Sequence, residues 1–306
     1  MLKLKRILFP TDFSRCANQA LDHALHFAQK YSAELHILHA LTLHVDEPQM
    51  SSFAGMTSEN LQNWQDEVVQ NKMQELLAKL NAGEVQVKTA SKRGVSSAPT
   101  ILEYAETNDI DLIVLGTHGR RGLGHLFLGS VAEELVRHAP CPVMTIREQK
   151  EPLPVHEFKR ILAPLDFSDY ATRTLSYAKH LAQTYGAQLQ LLHVVEQAIH
   201  PSFYAGGVDS LFAIAPDIRE KCLAQLDRLA KETAGPPVPV AVFVIEGHAA
   251  RDIINFAKDR ESDMIVIATH GLTGIEHLLL GSITEKVVRM APCPVFTVKS
   301  FGKALT

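Results

Sequence analysis

An internal repeat constrains the fold of this 306-residue chain more than any other feature. Three segments of the first half return in the second: residues 5–14 (KRILFPTDFS) as 159–168 (KRILAPLDFS), residues 117–119 (THG) as 269–271, and residues 129–130 (GS) as 281–282. The spacing between copies changes only from 154 to 152 residues. A period of this length indicates a duplicated domain rather than a solenoid of short units.

The join between the copies is charged and contains two prolines. Residues 148–156 read EQKEPLPVH, a composition typical of a stiffened linker. We therefore predict two domains, residues 1–150 and 154–306, each close to the size of about 150 residues that is common for one domain.

Each copy alternates short apolar runs with segments of helical periodicity. In the first copy the predicted strands are residues 6–9, 35–40, 85–90, 112–115 and 143–146, and the predicted helices cover residues 17–28, 61–80 and 97–107 and the segment after Gly129. Strands that are separated by helices run parallel and are joined by right-handed crossovers. The pattern predicts an α/β fold with two tandem, doubly wound, Rossmann-like domains. Each is a five-stranded parallel sheet of order 3-2-1-4-5 with helices on both faces.

The strand order places the ends of strands one and four together, at the switch point where such sheets bind ligands. The candidate ligand residues there are Pro10, Thr11 and Asp12 after strand one, and Gly116, His118, Gly119, Arg120, Arg121, Gly129, Ser130 and Val131 after strand four. Glycines allow close approach of the backbone, and a helix N-terminus offers N–H groups to phosphate. Arg120 and Arg121 add cations for phosphate oxygens. The residues alone leave open that Asp12 or Ser14 simply caps the first helix.

These segments resemble the universal stress protein family. Gly116 and Gly119, nine further residues and the pair Gly129-Ser130 are similar to that family's ATP-binding motif. The Pro-Thr-Asp-Phe-Ser turn, Leu-His-Ala or Leu-His-Val in strand two, and Ala-Pro-Cys-Pro-Val before the last strand extend the resemblance over nearly all of both halves. It implies that Asp12 and Ala40 meet adenine and ribose, that Gly116 lies beside the ribose, and that the loop with Gly129-Ser130 wraps the phosphates.

The second copy carries the matching positions with two departures from the motif. The matching residues are Pro164, Asp166, Val194, Ala268, Gly271, Gly281, Ser282 and Ile283. Ala268 replaces the first glycine, and Leu272-Thr273 replaces the two arginines. We expect ATP in the first site, and in the second site either weaker ATP binding or another ligand.

Histidines are frequent, but their spacing does not predict a metal site. The pairs His23 and His26, His118 and His125, and His270 and His277 lack a third ligand at metal spacing, and no Cys-x-x-Cys occurs. His36 and His39 are three apart on a strand and should face opposite sides of the sheet. We expect no bound metal.

Composition excludes several classes of protein. The net charge is −4 and no basic cluster occurs, so nucleic-acid binding is not expected. No apolar run approaches the roughly 20 residues of a membrane span, and the N-terminus does not read as a signal peptide. The four cysteines do not form a disulfide framework, and Cys141 and Cys293 should be buried thiols. These features predict a cytoplasmic protein.

The function that these features favour is an ATP-binding regulatory protein of the stress response, with at most slow hydrolysis. Neither a Gly-x-Ser-x-Gly elbow nor a Walker phosphate loop occurs, and we predict no catalytic residue. One alternative is a slow ATPase or self-phosphorylating enzyme with Ser130 or a loop residue as acceptor. Another is a binding protein whose second domain holds a lipid-like metabolite, because the segment 198–216 is long and rich in apolar and aromatic residues. The halves should pair through their last strands, as the family implies, and a homodimer of the whole chain is left open.

Overall fold

The computed structural model describes residues 2–42, 58–119, 128–151, 155, 158–196, 210–269, 280–299, 301–303 and 305. The predictions that concern Arg120, Arg121, Gly271 and Leu272-Thr273 lie outside these residues, as does most of the segment 198–216.

The first half alternates strand and helix from end to end. Its elements are β1 (Arg6–Pro10), α1 (Arg15–Tyr31), β2 (Glu34–Thr42), α2 (Ser58–Lys79), β3 (Val87–Gly94), α3 (Ser97–Thr107), β4 (Leu112–Gly116), α4 (Ser130–His138) and β5 (Val143–Ile146).

The second half repeats this order with one additional short helix. Its elements are β6 (Arg160–Pro164), α5 (Tyr170–Tyr185), β7 (Gln188–Glu196), α6 (Leu211–Ile214), α7 (Asp217–Glu232), β8 (Val240–Gly247), α8 (Ala249–Asp259), β9 (Met264–Ala268), α9 (Ser282–Met290) and β10 (Val295–Val298).

All ten strands form one sheet, in the order β3-β2-β1-β4-β5-β10-β9-β6-β7-β8. Within each half the strands are parallel and follow the order 3-2-1-4-5, which confirms the predicted fold class. Side chains alternate across each strand, so Ile7 and Phe9 face one apolar layer while Leu8 faces the other. Helices α1, α2, α5 and α7 cover the first face, and α3, α4, α8 and α9 cover the second.

The third strand lies further along the chain than its apolar residues predict. We expected residues 85–90, whereas β3 runs from Val87 to Gly94 and is mostly exposed. Its ladder with β2 continues to the pair Thr42 and Gly94. Backbone pairing with β2 therefore sets the extent of this edge strand, and burial of its side chains does not.

The two halves meet at an antiparallel pair of strands, β5 and β10. Met144 lies opposite Phe296, its own counterpart in the repeat, so the junction is symmetric about this pair. The hydroxyl of Thr297 donates to the carbonyl of Val143 at 2.9 Å across the junction. Each strand thereby covers an edge that the other half would expose alone.

A cation that follows each of these strands reaches a helix of the opposite half. The Lys299 ammonium donates to the carbonyls of Leu135, at 3.3 Å, and Val136 in the last turn of α4. In the same way, Arg147 donates to the carbonyl of Met290 at the end of α9, at 3.2 Å. The last carbonyls of a helix lack partners within the helix, so these donors let each half stabilise a helix of the other.

All four cysteines are free thiols. Burial raises the pKa of Cys141 and of Cys293 to about 12, so both are protonated and unreactive at neutral pH. No helix in the described part of the chain has the length and apolar character needed to cross a bilayer.

Candidate functional site

The carboxyl ends of β1 and β4 lie side by side in the sheet, although β2 and β3 separate the two strands in sequence. Ile7 pairs with Leu112 and Leu8 with Ile113, so the turn after Pro10 and the loop after Gly116 leave the same edge of the sheet. On the other side β1 pairs with β2. This is the switch point of the first half, because the crossovers run in opposite directions from it.

The turn after β1 is held by its own side chains. Thr11 Oγ1 accepts from the amide of Phe13 at 3.0 Å, and Asp12 Oδ1 accepts from the amide of Ser14 at 2.9 Å. Phe13 adopts a left-handed conformation with φ of 63°. Ser14 is the N-cap of α1, because its hydroxyl accepts from the amide of Ala17 at 3.2 Å. Asp12 therefore shapes the turn and does not cap the helix, and Ser14 fills that role.

The histidine of strand two supports this turn from beneath. His39 Nδ1 lies 2.7 Å from the carbonyl oxygen of Thr11, and its ring lies 4.8 Å from that of Phe13. The second half repeats the arrangement, with His193 Nδ1 2.8 Å from the carbonyl oxygen of Leu165. Burial lowers the pKa of His193, so its neutral ring donates from Nδ1. The histidine of the Leu-His motif in strand two thus stabilises the turn after the first strand of each half.

His36 lies on the opposite face of the same strand, as the alternation predicts. Its Nδ1 lies 2.9 Å from the hydroxyl of Tyr104, and its Nε2 lies 3.1 Å from Glu34. Among the described residues no group of three or more His, Cys, Asp or Glu is arranged to hold a metal ion. His125, His270 and His277 lie outside those residues.

Two glycines bring the two site segments into contact. A Cβ at Gly119 would lie 2.7 Å from Asp12 Oδ2, so the absence of a side chain lets the β4 loop pass beside this carboxylate in its present position. The amide of Gly129 donates to the carbonyl of Thr117 at 2.8 Å, and a Cβ at Gly129 would lie 2.9 Å from that oxygen. The loop between them is therefore closed at its base, and α4 begins next to the end of β4.

Gly116 is required by the protein's own packing. A Cβ there would lie 2.6 Å from Cys16 Sγ and 3.1 Å from the Cys16 backbone carbonyl, in the first turn of α1. The second half has Ala268 at this position, and its helix α5 begins at Tyr170, the counterpart of Cys16, one position later than α1.

The helices that follow the two glycine-serine pairs begin without a side-chain cap. Gly129 is the N-cap of α4 and Gly281 is the N-cap of α9. The hydrogen bond between Gly129 and Thr117 has a counterpart in the second half, where the amide of Gly281 donates to the carbonyl of Thr269 at 3.0 Å. A helix N-terminus of this kind presents backbone N–H groups and the positive end of the helix dipole to an anion.

The described candidate residues lie together at the switch point of their half. In the first half Pro10 and Thr11 are buried, Asp12, Ala40, Gly116, His118, Gly129 and Val131 are partly exposed, and Gly119 and Ser130 are exposed. In the second half Pro164 is buried, Asp166, Val194, Ala268 and Gly281 are partly exposed, and Ser282 and Ile283 are exposed. Arg120, Arg121 and Gly271 lie outside the described residues.

The aromatic segment of the second half is bound to strand β8 at Ser210 and Leu211. Glu246 accepts from the hydroxyl of Ser210 and from the amide of Leu211, both at 2.6 Å. These hydrogen bonds lower the pKa of Glu246 although its burial opposes them. The end of the segment 198–216 is therefore anchored at β8 by a carboxylate, a contact that the apolar pattern did not predict.

Comparison with known proteins gives one consistent result. The model of the universal stress protein family matches residues 3–147 and again residues 157–299. Universal stress protein MJ0531 of Methanocaldococcus jannaschii is 34% identical over 151 residues, which are 48% of this chain and 84% of that protein. MJ0577 of the same organism is 30% identical over 160 residues, which are 47% of this chain and 96% of that protein.

A tandem arrangement also occurs among solved structures. A universal stress protein from Archaeoglobus fulgidus superposes with a TM-score of 0.66 and 22% identity, and the match covers 96% of each chain. At this identity the match concerns the fold alone, and it extends over both halves.

Proposed function

Because the chain belongs to the universal stress protein family, we propose that it is an ATP-binding regulatory protein of the stress response, with at most slow ATP hydrolysis. One observation carries the proposal. The carboxylate of Asp12, the backbone of Gly119 and the uncapped N-terminus of α4 converge at the switch point of a parallel sheet. This combines an acceptor for hydroxyl or amine groups with donors for phosphate in one place.

In the proposed complex the nucleotide lies across the ends of β1 and β4. Asp12 accepts from a ribose hydroxyl or the adenine amine, and Ala40 contacts the base or sugar. The first-turn amides of α4, beginning at Ser130, donate to phosphate oxygens. Arg120 and Arg121 add charge-assisted hydrogen bonds to the same oxygens. His118 stands at the start of this loop, with Nδ1 2.8 Å from the hydroxyl of Thr117.

A slow ATPase or self-phosphorylating enzyme is the alternative, and it differs from a binding protein because it turns over ATP. Catalysis of hydrolysis needs a base within hydrogen-bond reach of the attacking water. Nucleotide that copurifies with the protein, identified by mass spectrometry after denaturation, without repeated turnover supports the binding protein. Repeated release of ADP by the purified chain, or transfer of phosphate to Ser130, supports the enzyme.

We expect the two sites to be unequal, with the tighter ATP site in the first half. Leu272-Thr273 replaces Arg120-Arg121, and one charge-assisted contact contributes about 1.5–3 kcal/mol, or roughly ten- to a hundredfold in affinity. The matched variants Asp12→Ala and Asp166→Ala test this by calorimetric titration of the full chain with ATP. Asp12→Ala should remove the tighter binding phase, and Asp166→Ala should leave it intact.

Salt and charge restoration provide the controls for this inequality. Screening weakens the arginine contribution, so the difference between the sites should narrow at high ionic strength. Leu272→Arg with Thr273→Arg should recover part of the affinity of the second site. Equal losses from Asp12→Ala and Asp166→Ala at low salt would contradict the inequality and favour two equivalent ATP sites.

We further propose that the halves pair through β5 and β10 in solution. Residues directly opposite in an antiparallel ladder have Cβ atoms about 4.5–5.5 Å apart, close to disulfide range. The double variant Met144→Cys/Phe296→Cys should therefore oxidise readily, and peptide mass spectrometry should find the link. In the matched pair Met144→Cys/Val295→Cys the side chains face opposite sides of the sheet, so no link should form. Equal cross-linking of both pairs would refute the register.

The state of the cysteines bears on the compartment in which the protein acts. Four free cysteines are typical of a reducing compartment, so we propose that the protein acts in the cytoplasm. Adenine nucleotide is the proposed partner, and a homodimer of the whole chain stays a prediction that oligomeric mass can test.

A further inference from the structure

Two grooves flank the junction of β5 and β10, and the repeat relates one to the other. The groove on the first half is filled by the chain's own C-terminal segment. Lys303 places its ammonium 2.6 Å from Asp111 Oδ1 and 2.9 Å from Asp109 Oδ1. Its amide donates to the carbonyl of Pro140 at 3.2 Å, and Tyr177 donates to its carbonyl at 3.4 Å. Beyond it, Leu305 is buried.

The groove on the second half contains a cavity of about 310 Å³. Its lining matches the filled groove position by position: Asp263 corresponds to Asp111, Glu261 to Asp109, Pro292 to Pro140, His23 to Tyr177 and Gln19 to Arg173. This cavity lies at the opposite edge of the second half's sheet from the nucleotide site of that half, since Asp263 and Pro292 precede β9 and β10 rather than follow them.

The carboxylates in the two grooves are held in the same way. Asp111 Oδ2 accepts from the amides of Lys5 and Arg6 at 2.7 and 3.0 Å. Asp263 Oδ2 accepts from the amides of Lys159 and Arg160, both at 2.8 Å.

The second carboxylate of each groove is matched as well. Asp109 pairs with Arg6 at 3.3 Å and Glu261 with Arg160 at 3.0 Å. Asp109 and Glu261 also share a left-handed backbone, with φ of 51° and 47°. The backbone that creates the lysine site of the first half is therefore repeated in the second.

Apart from Arg160, which pairs with Glu261, no cation in the described part of the chain is paired with this second set of carboxylates. The linker enters the groove as the C-terminal segment does, since Gln19 donates to the carbonyl of Gln149 at 2.8 Å where Arg173 donates to that of Phe301. Two residues later the linker has Glu151, which is exposed, where the C-terminal segment has Lys303. A glutamate carries the same charge as the carboxylates and cannot replace the lysine.

Two polar atoms in this groove are available to a ligand. Asp263 Oδ1, the counterpart of the oxygen that pairs with Lys303, has no partner within the described ranges. His23 Nδ1 lines the same groove and is buried without a hydrogen-bond partner. A buried polar atom that lacks a partner is uncommon in native proteins, and a bound group is one explanation for it.

We propose that this cavity binds a primary ammonium group on an apolar stem, the chemistry of the Lys303 side chain. Asp263 and Glu261 pair with the ammonium, and His23 lies beside it. Ile146, Val155, Phe158, Pro292 and Pro294 provide apolar walls for the stem. The other charged residues of the lining are Asp22, Arg147 and Lys258, of which Arg147 already donates to the carbonyl of Met290. The source is either the lysine of an extended peptide segment or a small alkylamine.

Three probes distinguish these sources in calorimetric titrations of the full chain. They are a blocked pentapeptide with the sequence of residues 301–305, the same peptide with norleucine in place of lysine, and butylamine. The lysine peptide should bind at least about tenfold more tightly than the norleucine peptide, because the latter loses a charge-assisted contact. Displacement of the peptide by millimolar butylamine indicates that a free amine suffices. Binding of the peptide alone indicates a lysine-bearing segment.

Variants of the full chain complete the test. Asp263→Asn keeps an acceptor for the backbone amides but removes the charge. It should lower the affinity for the lysine peptide about tenfold or more. Asp259→Asn removes an exposed charge outside the cavity and should change nothing. Glu151→Lys should fill the cavity from the linker, which abolishes peptide binding and raises the melting temperature. ATP affinity should be unchanged in all three.

Either of two results would overturn the proposal. One is equal binding, or equal absence of binding, for the lysine and norleucine peptides. The other is full affinity for the lysine peptide in folded Asp263→Asn. Neither result bears on ATP binding, so failure here is distinct from failure of the proposed function.

Discussion

Valine at position 119 should lower the affinity of the first site for ATP by more than about a hundredfold. A Cβ at this position would lie 2.7 Å from Asp12 Oδ2, so the Asp12 carboxylate must leave its place beside the loop. The change removes the proposed contact of Asp12 with ribose or adenine and displaces Gly119 from its place beside β1. Two lost contacts of about 1.5–3 kcal/mol each account for a loss of this size. Calorimetric titration of the full chain with ATP measures it.

A graded series at the same position separates displacement of Asp12 from unfolding. The nearest atom to the new Cβ is the end of a flexible side chain, so Gly119→Ala should cost little stability. It should nevertheless lower the affinity for ATP, because the Asp12 carboxylate still has to move. Ala268→Gly, in the other half, is the control and should leave the first site unchanged. Wild-type affinity in Gly119→Val would remove Asp12 and Gly119 from the site.

The second large effect is a rise in the free energy of unfolding between about pH 7 and 8.5, caused by Lys299. Burial lowers the pKa of Lys299 from 10.5 to about 7, and only 2% of the residue is exposed. The unfolded chain therefore holds one more proton than the folded chain in this range. Stability then increases with pH, by about 1.4 kcal/mol per pH unit, or roughly 2 kcal/mol in all.

Comparison with Lys299→Met isolates this contribution. The slope of the unfolding free energy against pH should be smaller in that variant, by the amount that corresponds to about one proton. Urea denaturation at several pH values measures this slope. Lys286→Met, on an exposed face of α9, should retain the slope of the wild type. Above about pH 8.5 the buried thiols of Cys141 and Cys293 act in the opposite direction, because unfolding allows them to ionise. An identical slope in wild type and Lys299→Met would show that Lys299 is charged in the folded protein.

Local pattern was sufficient for the fold because its strands are short, apolar and buried. The runs at residues 112–115 and 143–146 match β4 and β5 to within one residue, since a run of only four residues bounded by turn signals is typical of a strand buried on both faces. The site segments followed from the same reasoning, because strand order alone brings the ends of β1 and β4 together.

Contacts between residues distant in the chain could not be read in the same way. That Gly116 lies beside ribose stays a prediction, and the sequence pattern did not indicate that a side chain at this position would strike Cys16 of α1. Nothing near Lys303 in the sequence indicates that it pairs with Asp111, about two hundred positions away. The cavity beside Asp263 becomes visible only once both grooves are compared. These features depend on how the halves meet, which periodicity does not encode.

Covalent linkage of the halves has an evolutionary consequence at the junction of β5 and β10. In a homodimer every substitution appears twice, so a change that helps one subunit is imposed on both. Here Tyr177 and His23, or Lys303 and Glu151, have diverged at matching positions while the shared strand pairing is kept. The linker also holds the partners at fixed one-to-one stoichiometry, independent of protein concentration. Duplication has thus turned a symmetric architecture into two independently adaptable surfaces.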